Sequence, residues 1–405
     1  MKKNRNRKNP REGSHEYDKT NCCPVLYDPA DKATFWARHE ISKDMVTKAL
    51  NVCRETYDNT WDAINPRELP EPNAVQRRMV IGNTRCVLQH YPSDDTLYIG
   101  FRGSADKQDW LSNIQFELVS LVDGGNGDVK VHKGFKERAD NILEELPTIL
   151  KRYDPLPARI VTCGHSLGAA ISQLVHIQIE DKLEKDSKCK MINITFAPPM
   201  VGNLPLRSML NHPFAKRDLA RNMHNFIVAE DIVPAALFTG YVRQKIHLYD
   251  WFLRLIIKTK LPSEYQELAQ KVMDQLGELR APGEDQPVFG QEEADKQYAP
   301  IGNQFYIKGG RMYEMKHDDD PEYVARALIR ALDPVDKITA RDIPEIKAKG
   351  ADYPLVKQLK SDHELENYHK KLAELELAAM PISGGKRASQ DEEDGVAAKR
   401  QRMDL

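Results

Sequence analysis

No run of about 18 apolar residues occurs in the chain, so no membrane-spanning helix is expected. No apolar stretch of signal-peptide length follows the basic N-terminus, where Asn9-Pro10-Arg11-Glu12-Gly13 stands instead, and an intracellular protein is expected. Cysteine is sparse. Cys22, Cys23, Cys53, Cys86, Cys163 and Cys189 are scattered, none with the paired spacing of a zinc site, and without a secretory signal they read as six thiols rather than a disulfide framework. An excess of one charge is lacking too. Lys and Arg number 59 against 61 Asp and Glu, a formal net charge of −2, so no overall field favours nucleic acid. HExxH, a P-loop and paired CxxC are all absent, which argues against a metal or cofactor, and there is no internal repeat.

What charge there is lies unevenly. The first eleven residues hold Lys2, Lys3, Arg5, Arg7, Lys8 and Arg11, and residues 1–30 read as a polar, basic, flexible tail. Residues 381–405 are poor in apolar side chains and read as a disordered tail. Between them, 405 residues leave enough chain for a sizeable core, and large α/β folds often run as one domain.

The periodicity supports such a fold. Met45, Val46, Leu50, Val52 and Cys53 recur near helical spacing within 41–61, with Ser42 as N-cap. Residues 85–89 and 96–101 flank Pro92-Ser93-Asp94-Asp95, a hairpin signal. A helix is expected over 136–150, a buried strand over 159–163, a helix over 167–183, and strands over 191–196 and 222–228. This alternation describes a mostly parallel sheet with crossover helices. The stretch 251–298 ends without a strand signal. Residues 304–307 and 312–315 flank Gly309-Gly310 as a second hairpin, and 321–332 and 363–377 read as amphipathic helices.

The chemistry centres on Gly164-His165-Ser166-Leu167-Gly168, a G-x-S-x-G. The pentapeptide alone is weak, but a β-branched run leads in and a helical run leads out. Strand, sharp turn and helix is the setting of an α/β-hydrolase nucleophile elbow, with Ser166 as nucleophile. Gly164 and Gly168 remove side chains that would clash with so tight a turn. The following helix points its N-terminal N–H groups towards a developing oxyanion.

Further motifs stand around this one in a fixed order. Phe101-Arg102-Gly103-Ser104 and Asp109-Trp110-Leu111-Ser112-Asn113 precede it, with Val131-His132-Lys133-Gly134-Phe135. Thr195-Phe196-Ala197-Pro198-Pro199-Met200-Val201-Gly202-Asn203 and Glu230-Asp231-Ile232-Val233-Pro234 follow. In this order and spacing they resemble class 3 lipases, the fungal-type triacylglycerol lipase family, closely over about 85–250 and again near 363. The resemblance implies an α/β-hydrolase fold over 31–380, with a mostly parallel central sheet and flanking helices, to which this chain adds an inserted cap-like segment. It implies an oxyanion hole of Ser104 and the Leu167 N–H, and an amphipathic lid over about 106–116 with Trp110, Leu111 and Ile114 on one face.

A triad also needs an acid and a base, in chain order Ser, Asp, His for this fold. Asp231 closes the strand 226–228, and the carboxyl end of a parallel strand is where such sheets place reacting groups. Asp218 and Asp250 follow no convincing buried strand. Among the histidines, His363 lies in Asp362-His363-Glu364-Leu365-Glu366-Asn367-Tyr368, which resembles the family's setting of the base; His247 and His317 are the alternatives. The implied activity is hydrolysis of lipid acyl esters, the acylglycerols first, at a membrane or droplet surface. A phospholipase, a small-ester esterase and a non-catalytic lipase-like signalling protein remain open.

Two segments depart from the compact fungal pattern. The insertion, about 252–300, opens with the mixed apolar and basic run 251–258, which suits a packed helix, a cap over an acyl pocket or an interfacial anchor. In the tail, Lys386-Arg387 and Lys399-Arg400-Gln401-Arg402 flank residues 388–398, a spacing that resembles a bipartite nuclear-import signal. An import receptor is the partner expected for it, with cytoplasmic and nuclear placement. Oligomeric state has no signal in the sequence.

Overall fold

In the computed structural model the described residues are 25–26, 32–58, 67–103, 117–122, 127–179, 188–212, 219–231, 233–235, 297–319, 321, 324, 349 and 354–377. Helix α1 spans Lys32–Arg38 and α2 spans Lys43–Thr56. Ser42 Oγ caps α2 by accepting the Met45 N–H at 3.0 Å, as the sequence predicts, and Met45, Val46, Ala49, Leu50, Val52 and Cys53 are buried on its inner side.

The strands are β1 (Val25–Leu26), β2 (Arg67–Glu68), β3 (Val75–Ile81), β4 (Thr84–Tyr91), β5 (Thr96–Phe101), β6 (Leu118–Ser120) and β7 (Lys130–His132). After helix α3 (Lys133–Leu150) come β8 (Arg159–His165), helix α4 (Leu167–Ile179), β9 (Lys190–Phe196), β10 (Gly202–Asn203), helix α5 (Leu204–Leu210) and β11 (Met223–Val228). The chain continues with β12 (Tyr298–Ala299), β13 (Asn303–Lys308), β14 (Arg311–Met315) and the helices α6 (Pro354–His363) and α7 (Leu365–Leu377). The main sheet runs β1-β14-β13-β11-β9-β8-β5-β4-β3-β2, and β12-β10-β7-β6 form a smaller one. The strands β5, β8, β9, β11 and β13 are mutually parallel, with antiparallel strands on both margins. This is the α/β-hydrolase architecture.

Side chains alternate between two cores, as a pleated sheet buried on both faces requires. Leu97, Ile99 and Phe101 of β5 meet the core that holds Ala139 and Leu143 of α3 and Ala170 and Leu174 of α4. Tyr98, Val161 and Phe226 meet the opposite core, which includes Phe35, Leu50 and Tyr368. Helix α4 is buried nearly all round, so it sits inside the fold rather than on it. At Gly100 a Cβ would lie 2.5 Å from Val52 Cγ1, which shows how closely α2 is pressed onto β5.

Three boundaries differ from expectation. Val25–Leu26 pair with Glu314 and Tyr313 of β14, so the sheet edge begins inside the stretch read as a tail. Tyr298–Ala299 pair with Asn203 and Gly202, so the folded body resumes within the stretch read as insertion. Both strands are two residues long, too short for a period-2 pattern to show. The helix expected over 363–377 is α7, which begins at Leu365, and an unexpected helix, α6, precedes it and ends at His363. Pro354 at the first turn of α6 is a start signal that a purely apolar reading overlooks. Cys53, Cys86, Cys163 and Cys189 are free thiols, while Cys22 and Cys23 lie outside the described residues. So do 106–116, 252–296, residues 1–24 and 381–405, and nearly all of 321–332.

Candidate active site

The carboxyl ends of the parallel strands converge on one edge of the sheet. Phe101 pairs with Gly164, His165 with Phe196, and Phe196 with Phe226. Gly103, Ser166 and Asp231 follow directly from these ends.

Ser166 sits between β8 and α4 with φ of 58°, a left-handed conformation that a non-glycine residue holds only under the constraint of its surroundings. Those surroundings are visible. The Ser166 N–H donates to Phe196 O at 3.0 Å, and the Ser166 carbonyl accepts from Ala169 N–H at 2.9 Å. A Cβ at Gly164 would run into the backbone of Gly168, and one at Gly168 into Phe101 O. Both glycines of the motif are therefore fixed by backbone crossing at contact distance, as the sequence reading anticipates. Leu167 opens α4 beside the nucleophile.

His363 reaches Ser166 from the other core. Its Nε2 is 2.9 Å from Ser166 Oγ, and its Nδ1 is 2.9 and 3.1 Å from the two Asp231 oxygens. A single tautomer satisfies all of these, with the proton on Nδ1 donated to the carboxylate and Nε2 open to the serine hydroxyl proton.

Asp231 is 1% exposed, and burying a carboxylate costs several kcal/mol unless donors surround it. Three do. Besides His363, Tyr368 Oη–H donates to Oδ2 at 2.7 Å and the Val233 N–H to Oδ1 at 2.9 Å. Tyr368 is fully buried and accepts the Val228 N–H at 3.2 Å. Its burial, and then the Asp231 charge, push the phenol well above its ordinary pKa, so it stays a donor. Beside the base, burial pushes the Asp362 carboxyl up to about 6.

The other histidines have separate work. His132 accepts the Phe135 N–H as the cap of α3, and burial lowers its pKa to about 4. His317 is engaged with Asn303 and Asn211. His247 lies outside the described residues, as do Asp218, Asp250 and Ser104. The structure thus brings Ser166, Asp231 and His363 together, places Gly164, Leu167 and Gly168 around Ser166, and puts His165 against both Tyr57 and His363. The sequence reading assigned no role to Tyr57 or Tyr368. Tyr368 at least stands within the motif that carries His363, whereas nothing local marks Tyr57.

Comparison with known proteins finds similarity to lipases over part of the chain. Residues 98–240 match the family model for lipase (class 3). A lipase of Rhizomucor miehei is 28% identical over 177 residues, covering 42% of this chain and 48% of its own. The chloroplastic phospholipase A(1) DAD1 of Arabidopsis thaliana is 26% identical over 210 residues, covering 47% of this chain and 44% of its own. The solved structure of Rhizomucor miehei triacylglyceride lipase aligns at 18% identity with a TM-score of 0.41, covering 67% of this chain and 83% of that one. The chain spans less than half the length of these two curated relatives. The segment 98–240, which contains Ser166 and Asp231, is thus similar to the class 3 lipase family.

Proposed function

We propose that the protein hydrolyses carboxylic esters of lipids through Ser166, His363 and Asp231. The observation that carries this reading is the continuous hydrogen-bonded line from Ser166 Oγ through the His363 ring to a buried carboxylate. In the reaction, Oγ attacks the ester carbonyl while Nε2 takes its proton. The tetrahedral oxyanion collapses, the C–O bond to the alcohol breaks, and the imidazolium returns the proton to the departing alkoxide. Water, deprotonated by the same nitrogen, then releases the acid. Asp231 holds the ring orientation and stabilises its cation. The Leu167 N–H at the start of α4, with Ser104, is the proposed oxyanion hole, a donor pair of a kind worth about 10²–10³ in turnover per donor.

Acylglycerols are the proposed substrates. The phospholipase A1 among the relatives makes phospholipids the second reading. The test is fatty-acid release from three substrates, namely soluble p-nitrophenyl esters of graded chain length, emulsified diacylglycerol and phosphatidylcholine vesicles. Release from the diacylglycerol emulsion is expected, and vesicles hydrolysed faster than emulsion would move the assignment to phospholipids. No release from any of them would sink the hydrolase reading.

Placement is a separate proposal. We infer from the two basic clusters of 386–402 that the chain is recognised by an import receptor with acidic pockets. A fluorescent fusion should lose its nuclear fraction when 384–405 are deleted. An identical distribution with and without that segment would overturn the inference.

A further inference from the structure

A second line of hydrogen bonds runs behind the first. Tyr57 follows the last turn of α2, and its hydroxyl lies 3.2 Å from His165 Nδ1 and 3.4 Å from His165 O. On the far side of the same ring, His165 Nε2 is 2.9 Å from the main-chain carbonyl of His363. The proton positions follow from the partners. A carbonyl oxygen only accepts, so Nε2 carries the hydrogen. The ring is neutral, because burial and then the neighbouring His363 push its pKa down to about 3. Nδ1 is therefore a bare acceptor, and Tyr57 Oη–H donates to it. Gly103 passes close to the same phenol, and a Cβ at Gly103 would strike Tyr57 Oη.

The result is a one-directional chain, from Tyr57 to His165 and from His165 to His363 O. Its members come from three places. Tyr57 follows α2, His165 immediately precedes Ser166, and His363 is the proposed base. The His165 and His363 rings also lie 4.8 Å apart, tilted by 31°.

We propose that Tyr57 and His165 are positioning residues that clamp the backbone of the base to the turn of the nucleophile. The inference rests on the reading of Ser166 and His363 as nucleophile and base. The Asp231 carboxylate fixes the imidazole from its Nδ1 side. It does not fix the main chain at the junction of α6 and α7 from which the imidazole hangs. The contact from His165 Nε2 to the His363 carbonyl does. Tyr57 keeps that contact attractive, because without its proton on Nδ1 the ring is free to adopt the other tautomer. A bare Nε2 would then face the carbonyl and repel it.

The experiment uses the full chain, with kcat and KM on soluble p-nitrophenyl butyrate, the rate of covalent labelling by a fluorophosphonate, and thermal midpoints. The proteins are native, Ser166→Ala, Tyr57→Phe, His165→Leu and His165→Gln. Tyr57→Phe should lower both kcat and labelling rate about tenfold with KM within about twofold, since small misplacements of a reacting group act on the chemical step. His165→Leu should lose more, towards 10²-fold. His165→Gln, which restores an N–H at similar reach, should recover most of that loss. A merely structural role would lower the midpoint and the amount of folded protein without dividing kcat from KM or being rescued by glutamine. If the native protein is inert, the hydrolase reading itself has failed. If native hydrolyses, Ser166→Ala does not, and Tyr57→Phe matches native in kcat and labelling, the clamp is overturned; that comparison stands even if His165→Leu fails to fold.

Discussion

Ser166→Ala is expected to lower ester turnover by about 10⁴–10⁶-fold, to the background rate, with the thermal midpoint within a few degrees of native. The size follows from the geometry. Oγ is the atom 2.9 Å from His363 Nε2, and without it neither the covalent intermediate nor the first proton transfer exists. What remains is whatever the oxyanion donors and substrate binding provide, a residue of about 10³–10⁴ over water in enzymes of this chemistry. Stability should scarcely change. Alanine meets the same backbone strain at φ 58° that serine does, and the lost hydroxyl leaves His363 Nε2 at a ring with 24% of its side chain exposed, where water replaces it. Initial rates on p-nitrophenyl butyrate decide the matter. A variant retaining more than a tenth of native activity would place the nucleophile elsewhere.

Asp231→Asn should cost nearly as much, about 10⁴-fold in kcat, although it alters one buried atom. At present three donors converge on a group that only accepts. The amide offers one oxygen and one NH2, so it cannot receive His363 Nδ1–H, Tyr368 Oη–H and Val233 N–H together. If the NH2 turns towards the histidine, it selects the tautomer with the proton on Nε2, and the base then presents a hydrogen to the hydroxyl it must deprotonate. The same position faces Tyr368, so that phenol must reverse as well, whereas an NH2 in the Oδ1 position is turned against the Val233 N–H. Unsatisfied buried donors cost about 1–3 kcal/mol, so a lower thermal midpoint should accompany the kinetic loss. The double variant with Ser166→Ala should be no slower than Ser166→Ala alone, because the two residues act on one step. A kcat within tenfold of native would show that Asp231 does not set the tautomer.

The parts of this site that were legible in the sequence are those made locally. The elbow is a strand, a five-residue turn and a helix in unbroken succession, so its glycines and Ser166 announce themselves. Asp231 is legible because it ends an apolar strand. His363 is not local to anything. It stands 132 residues beyond Asp231, and only chain order and resemblance to a family motif select it from twelve histidines. Tyr57 is the opposite extreme. Its bond to His165 spans 108 residues, and a tyrosine at a helix end carries no pattern that separates a clamp from ordinary packing. The same contrast holds for the fold. Strands β8, β9 and β11 each carry a short apolar, partly β-branched run and were expected nearly as found. The pairs β1 with β14 and β10 with β12 exist only because tertiary neighbours provide the partner.

The order of the triad along the chain has a consequence for synthesis. The five parallel strands, except β13, and both Ser166 and Asp231 are complete by residue 231, whereas the proton acceptor is made only when residue 363 emerges, 197 positions after the serine. A chain that folds from its N-terminus can close most of its sheet before the serine has a base. On the proposed mechanism Ser166 would then wait without its base for the 197 positions that separate it from His363, and the base arrives only with α6.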